Sequence, residues 1–211
     1  MRQLILKMSV SVDGFVGGPN GEIEWLFKSM DEGATAWVLD TISQAGVHIM
    51  GSRTFYDMAS YWPYSTEPFA APMNEIPKVV FSGSGSIQSI NKELTTTALK
   101  QATIRNADKL TQRTPEISSW TNARVAGGDL TTEIRRLKQE DGKPILAHGG
   151  SSFAQSLAKS GLIDEYQLLI HPIVLGTGLS LFSAIPKPMG LQLINTTAFK
   201  SGAIANIYRP A

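Results

Sequence analysis

Three places in this 211-residue chain put glycine together with hydroxyl or guanidinium side chains directly after a short apolar run. Residues 47–50 lead into Gly51, Ser52, Arg53 and Thr54. Residues 78–82 lead into Gly83 and Ser84, with Ser82 at the junction. Residues 144–147 lead through His148 into Gly149, Gly150, Ser151 and Ser152. In an open α/β sheet, ligands bind beyond the carboxyl ends of the strands. Helix N-termini there offer unpaired N–H groups and a partial positive charge. Glycine lets the backbone approach a phosphate closely, Ser and Thr add hydroxyl donors, and Arg53 adds a charged fork suited to phosphate. The three sites together point to an extended anionic ligand lying over several strand ends, and a dinucleotide fits that description. Taken singly, each is also ordinary turn and capping chemistry.

Other chemistries are excluded or marked down. The chain has no cysteine, which removes disulfides, thiolate metal sites and cysteine nucleophiles. Its three histidines, His48, His148 and His171, never fall three or four apart, so no helical metal site is visible. His48 and His171 lie in apolar runs and read as satisfied core or edge residues. His148 stands at a strand end, where function concentrates. The nucleophile-elbow, P-loop and Gly-x-Gly-x-x-Gly patterns are all absent. With 19 Lys and Arg against 18 Asp and Glu, the chain shows no electrostatic footprint for nucleic acid. Lys7 and Ser9 interrupt the N-terminal apolar residues, and no stretch approaches a membrane span. The expected state is soluble and cytoplasmic.

The elements that must position these residues are readable from periodicity. Leu4, Leu6, Met8, Val10 and Val12 alternate with polar residues, giving a strand with one strongly apolar face. Residues 31–45 have helical spacing, with Gly46 as the expected C-cap. Short strands follow at 47–50, 78–82, 124–126 and 144–147, with helices after the first, third and fourth. The helix after residue 152 ends at Gly161. Residues 166–175 form the longest strand signal, and two more strands lie near 191–194 and 203–208. Strands alternating with helices, then two closing strands, argue an α/β sheet, mostly parallel, with antiparallel strands at its end. Residues 84–118 are polar and weakly patterned and read as an insertion within a single domain spanning 1–211.

Several of these runs resemble the dihydrofolate reductase-like family, in the branch of the reductase domain of the riboflavin-biosynthesis deaminase–reductase and its stand-alone relatives. The matching residues are 9–16 (SVSVDGFV), 50–55 (MGSRTF), 148–153 (HGGSSF), 161–165 (GLIDE) and 170–178 (IHPIVLGTG) with Leu181 and Phe182. The resemblance implies a three-layer α/β/α domain around a mixed central sheet, an NADPH cofactor and a homodimer. It implies that Val16, Gly17 and Trp25 lie on a loop closing over the nicotinamide. Gly51, Ser52, Arg53 and Thr54 would form the first phosphate-binding turn. Ser82 and Gly83 would lie near the adenosine 2′-phosphate, and Gly149, Gly150, Ser151 and Ser152 on the pyrophosphate turn. Ser52 stands where the family's arginine usually follows the glycine, which places Arg53 one position late. Asp13 matches both branches and is a candidate catalytic residue, although an Asp-Gly turn also accounts for it. Asp31, with Glu32, lies near the acid that dihydrofolate reductases carry on their first helix, and both also suit a helix N-terminus.

The function implied is an NADPH-dependent reductase that transfers a hydride to a small heteroaromatic or C=N/C=O substrate, pterin-like or resembling an aminopyrimidine sugar. Trp25, Phe55 and Trp62 could wall such a flat substrate or serve as core aromatics. The competing reading is a non-catalytic nucleotide-binding or ligand-sensing protein on the same scaffold. No metal is expected.

Overall fold

Leu4 and Leu6 are fully buried on one side of their strand, but the residues between them are not on a solvent face. A computed structural model describes residues 1–87 and 118–211 of the chain. Most of the expected insertion at 84–118 lies outside the described residues. Strand β1 (Leu4–Ser11) runs through the middle of one eight-stranded sheet. The others are β2 (Val47–Gly51), β3 (Lys78–Phe81), β4 (Arg124–Ala126), β5 (Ile145–Ala147), β6 (Glu165–His171), β7 (Leu191–Ala198) and β8 (Ile204–Pro210). Their order is β4-β3-β2-β5-β1-β6-β8-β7. Strands β1 to β6 pair in parallel, β8 runs antiparallel to β6, and β7 antiparallel to β8. This is the mixed, mostly parallel α/β arrangement that the pattern of elements predicts.

Helices cover both faces, so the sheet has two cores. On one face Leu4, Leu6, Ile49 and Ala147 pack with Ile134 and Leu137 of α5 (Leu130–Gln139) and Leu157 of α6 (Ser151–Ser160). On the other, Met50, Val80, Leu146 and Leu169 meet Val38 and Ile42 of α1 (Glu32–Ser43) and Phe55 of α2 (Ser52–Tyr61). Met73 of α3 (Ala70–Glu75) and Trp120 of α4 (Ser118–Thr121) complete that second core. Among the described residues, no helix is long and apolar enough to cross a membrane.

Some boundaries differ from the sequence expectation for local reasons. The strand expected over 166–175 stops at His171, because Pro172 has no N–H to continue the ladder. The chain then turns back, and Ile173 accepts from the Val12 amide. Gly46 is not a left-handed helix cap: α1 is capped two residues earlier, at Gln44. A Cβ at Gly46 would sit 2.9 Å from both the Arg2 guanidinium and Lys143, so close packing demands the glycine. Gly161 does adopt the left-handed conformation, with φ 67°, as the C-cap of α6. Helix α3 carries no clear sequence signal.

Because both faces are covered, the polar positions of the inner strands are buried or, as at Lys7, half-buried. Lys7 on β1, His48 on β2, Lys78 on β3 and His171 on β6 all share the α1–α4 face with His148, which follows β5. His48 and Lys78 are direct cross-strand neighbours, and the His48 and His148 rings meet edge to face at 4.4 Å. Lys78 Nζ donates to the Ser119 hydroxyl at 2.7 Å and lies 4.3 Å from the Trp120 ring centre. Burial, followed by the charge on Lys78, pushes His48 down to about 3. Burial pushes Lys78 down to about 7.

Both groups are more easily protonated in the unfolded chain, so each takes stability away as pH falls below its ordinary value. His48 alone should cost the fold about 2 kcal/mol between pH 6.5 and 5. Thermal unfolding followed from pH 9 to pH 5 should therefore show a melting temperature that declines throughout. His48→Leu should flatten the acidic limb, and an unchanged slope in that variant would contradict the assignment.

Candidate functional site

The carboxyl ends of β2 and β5 open into a groove of about 430 Å³. Gly51, Ser52, Arg53 and Thr54 line one side, and Gly150, Ser151 and Ser152 the other, with Phe81, Phe153 and Ser156 between and below. Two of the three strand-end turns singled out in the sequence thus come together. The bond that joins them runs from the Gly150 amide to Thr54 Oγ1, at 2.8 Å. Gly149 and Gly150 have φ of 60° and 27°, conformations that side chains with a Cβ rarely adopt. A Cβ on Gly150 would lie 2.8 Å from that same Thr54 oxygen. On the floor, a Cβ on Gly51 would be 3.3 Å from Phe153 Cβ, whose ring packs on Phe81 at 5.0 Å.

The helix starts at this groove differ from those elsewhere. Asp31 caps α1 by accepting from the Ala34 amide at 2.8 Å, and Asp129 caps α5 through Thr132. Helices α2 and α6 begin at Gly51 and Gly150 with no side-chain cap. Their first-turn amides therefore face the groove with the positive end of the helix dipole. Arg53 is exposed there and makes no ion pair among the described residues. A groove with two uncapped helix starts, a guanidinium without an ion pair among the described residues and five serine or threonine hydroxyls is built for an anion.

The third turn lies farther out. Ser82 follows β3, and its hydroxyl bonds Ser84 Oγ and the Ser86 carbonyl rather than lining the groove. Gly83 is likewise outside the groove lining. Instead this turn packs on the one after β4, where a Cβ on Gly127 would be 3.0 Å from Gly85 Cα. The pair Gly127 and Gly128 after β4, followed by the Asp129 cap, is a strand-end signal of the same type that the sequence reading passed over.

Val16 and Gly17 are pinned in a small ribbon. The Val16 amide donates to Leu179, and Gly17 accepts from the Leu179 amide. The ribbon reaches α6 through Gln155, which donates to the Ser180 carbonyl at 2.7 Å.

Neither candidate acid is placed as a proton donor. Asp13 accepts from the Ser11 hydroxyl at 2.6 Å and from the Leu175 and Gly176 amides, which clamps the loop after β6 to the loop after β1. The Ser11 bond, aided by those amides, holds its carboxyl below the usual range. Asp31 accepts from Ala34 on α1 and, with its other oxygen, from the Ser201 amide in the β7–β8 connection. Its carboxyl is also held low, first by the Ala34 amide and then by Ser201. In this structure both carboxylates are engaged in holding loops and a helix start in place.

The three aromatic candidates do not form one wall. Phe55 is completely buried against Trp120 and Tyr56 and cannot touch a ligand, which corrects its assignment to the substrate. Trp62 packs with Tyr61 and Phe69 beyond the end of α2. Trp25, in the 3-10 turn Glu24–Ser29, donates to the Glu22 carbonyl and sets its ring edge-on to His171 at 5.4 Å.

The histidines are not all satisfied. His171 Nδ1 pairs with the Ser29 hydroxyl at 2.7 Å, but its Nε2 has no partner among the described residues. His148 Nε2 and His48 Nδ1 are buried and unpartnered as well. Burial, with Lys7 nearby, pushes His171 down to about 4. His148 is held well below its ordinary value, first by burial and then by the surrounding basic groups.

With this geometry in view, the comparisons are specific. The family model of the RibD C-terminal domain matches residues 2–205. The uncharacterized protein YyaP of Bacillus subtilis (strain 168) is 30% identical over 207 residues, covering 98% of this chain and 94% of YyaP. Acinetobacter baumannii RibD superposes with a TM-score of 0.66 at 18% identity, over all of this chain and 58% of that one. Enterococcus faecalis dihydrofolate reductase, solved in complex with NADP(H), superposes with a TM-score of 0.54 at 10% identity, over 99% and 96% of the two chains. The fold is the α/β fold of dihydrofolate reductase.

The two uses of Asp31 separate cleanly by substitution. Asp31→Ala removes the cap and the tie to Ser201 and should lower the unfolding free energy by about 1–2 kcal/mol. Asp31→Asn keeps an acceptor for the cap and should retain most of that stability. Urea unfolding of the two variants checks this, and equal losses would contradict the capping role.

Proposed function

The chain belongs to the RibD C-terminal domain family, and from that premise we propose that it is a reductase using NADPH. The single observation that supports this most is the shared groove, where the uncapped starts of α2 and α6 are tied by the Thr54–Gly150 hydrogen bond. The residues present fit a doubly phosphorylated coenzyme. The Ser151 and Ser152 amides and hydroxyls would hold the pyrophosphate, with Gly150 giving the backbone room to approach it. Arg53 would hold the 2′-phosphate as a charged donor. Val16 and Gly17 would close the nicotinamide end.

When bound, the coenzyme supplies a hydride for a small heteroaromatic or C=N/C=O substrate. The protein supplies orientation and excludes water, and the covered sheet face beside β1 suits that task. On this reading the accompanying proton comes from solvent water, because Asp13 and Asp31 are already engaged as carboxylates.

Calorimetric titration and an NADPH-oxidation assay with dihydrofolate and pyrimidine substrates test the reading. NADPH should bind and be consumed with at least one substrate. Binding with no turnover on any of them would favour a nucleotide-binding role instead. Arg53→Ala should weaken NADPH by about tenfold and NADH far less, as expected for loss of one charged phosphate contact. Equal losses would remove Arg53 from the 2′-phosphate. Gly150→Val should abolish NADPH binding, since its side chain would collide with Thr54 and enter the groove, and retained affinity would contradict the placement of that turn.

A further inference from the structure

Helix α6 touches two different things. Its first turn, Ser151 and Ser152, lines the anion groove, and so does Ser156 one turn on. Between them Gln155, half-buried, sends its amide away from the groove and donates to the Ser180 carbonyl at 2.7 Å. Ser180 belongs to the small ribbon that joins the loop after β1 to the loop after β6, where it stands opposite Phe15. In the sheet order β1 lies next to β5, and β6 next to β1. An extended ligand that leaves the β2–β5 groove along the carboxyl edge of the sheet therefore meets this ribbon next.

The ribbon's own bonding explains why Ser180 needs an outside partner. Its ladder runs from the Val16 amide to Leu179, from the Leu179 amide to Gly17 and from the Leu181 amide to Gly14. Phe15 and Ser180 fall between those bonds, so the Ser180 carbonyl has no acceptor role in the ladder. Gln155 fills that role, with a longer contact of 3.4 Å from the Ser183 hydroxyl. Asp13 anchors the ribbon at its other end, through the Leu175 and Gly176 amides. The two strands of the ribbon touch closely at Gly178, where a Cβ would lie 2.3 Å from the Gly17 carbonyl oxygen. The ribbon thus moves as a piece, and its link to the groove is the Gln155 amide.

We propose that Gln155 is a positioning residue that registers the Phe15–Gly17 and Leu179–Leu181 ribbon on the helix whose start holds the coenzyme's phosphates. This deepens the reductase reading and rests on it for the identity of the ligand. One helix then sets both ends of the bound molecule: its first amides fix the pyrophosphate, and Gln155 fixes the wall that the rest of the coenzyme lies against. Removing the Gln155 donor leaves the phosphate turn intact and frees the ribbon. The loss falls on the part of the coenzyme beyond its pyrophosphate.

Two ligands separate the two ends: NADPH, and 2′-phospho-ADP-ribose, which carries the same phosphates without the nicotinamide. Affinities are measured by calorimetric titration in wild type, Gln155→Met, which keeps the side chain's length but not its donor, and Gln155→Ala. Both variants should bind NADPH about fivefold more weakly, the size expected for one lost hydrogen bond, and should bind 2′-phospho-ADP-ribose as wild type does. Gly178→Ala, which pries the same ribbon apart at Gly17, should reproduce that split. Equal weakening of both ligands by Gln155→Met makes Gln155 a general support of α6 and overturns the proposal, as does NADPH affinity unchanged in both Gln155 variants. If Gln155→Ala does not fold, Gln155→Met and Gly178→Ala decide it. Binding of neither ligand to wild type removes the reductase reading and this proposal with it, whereas wild-type binding of both with no split in the variants removes the proposal alone.

Discussion

One hydrogen bond, from the Gly150 amide to the Thr54 hydroxyl, makes two separate turns into one site. Each turn alone is a common way to leave a strand and enter a helix. Joined, they bring the starts of α2 and α6 to a single groove, with dipoles and free amides pointing the same way. The tie requires a left-handed residue at Gly150 and a short hydroxyl side chain at position 54, because a Cβ on one would occupy the place of the oxygen on the other. The parallel register of β2 against β5 sets the distance between them. Aspartates cap α1 and α5, at Asp31 and Asp129, whereas glycines stand at the starts of α2 and α6.

The second constraint is that this sheet is covered on both faces. A polar residue on an inner strand then has no water to turn to, and its chemistry has to be met inside the protein. Lys78 meets it with Ser119 and the Trp120 ring. His171 meets half of it with Ser29. His148 Nε2 is buried with no partner among the described residues. His148 immediately precedes the glycine turn that completes the groove, so this unmet polar group and the anion site share one end of the sheet. The two loop carboxylates, Asp13 and Asp31, fix the surrounding chain instead. Asp13 joins the loops after β1 and β6, and Asp31 joins α1 to the β7–β8 connection.

What was legible in the sequence follows from what local physics can specify. The short strands at 47–50, 78–81, 124–126 and 145–147 announce themselves by apolar runs closed by glycine, and so do the turns that follow β2 and β5. Gly161 reads as a helix stop because only a residue without Cβ takes its backbone angle cheaply. Tertiary context was not legible. The alternation in β1 looks like one wet face, whereas Ile5 on that side packs against the second core and Lys7 is half-buried. Phe55 has the spacing of a pocket residue, yet α2 turns it into the second core. Asp31 has the position of a catalytic acid, but the Ser201 amide that fixes its other oxygen is 170 residues away in the chain. Pro172 was a readable strand stop hidden inside a strongly apolar run.

The claim at the centre of this account is that the two tied turns receive one dinucleotide together. Amide hydrogen exchange, compared with and without NADPH, tests it directly. The account predicts new protection at residues 51–54 and at 150–153 with the same dependence on NADPH concentration. Protection of one turn without the other, or protection confined to residues outside both, would contradict it.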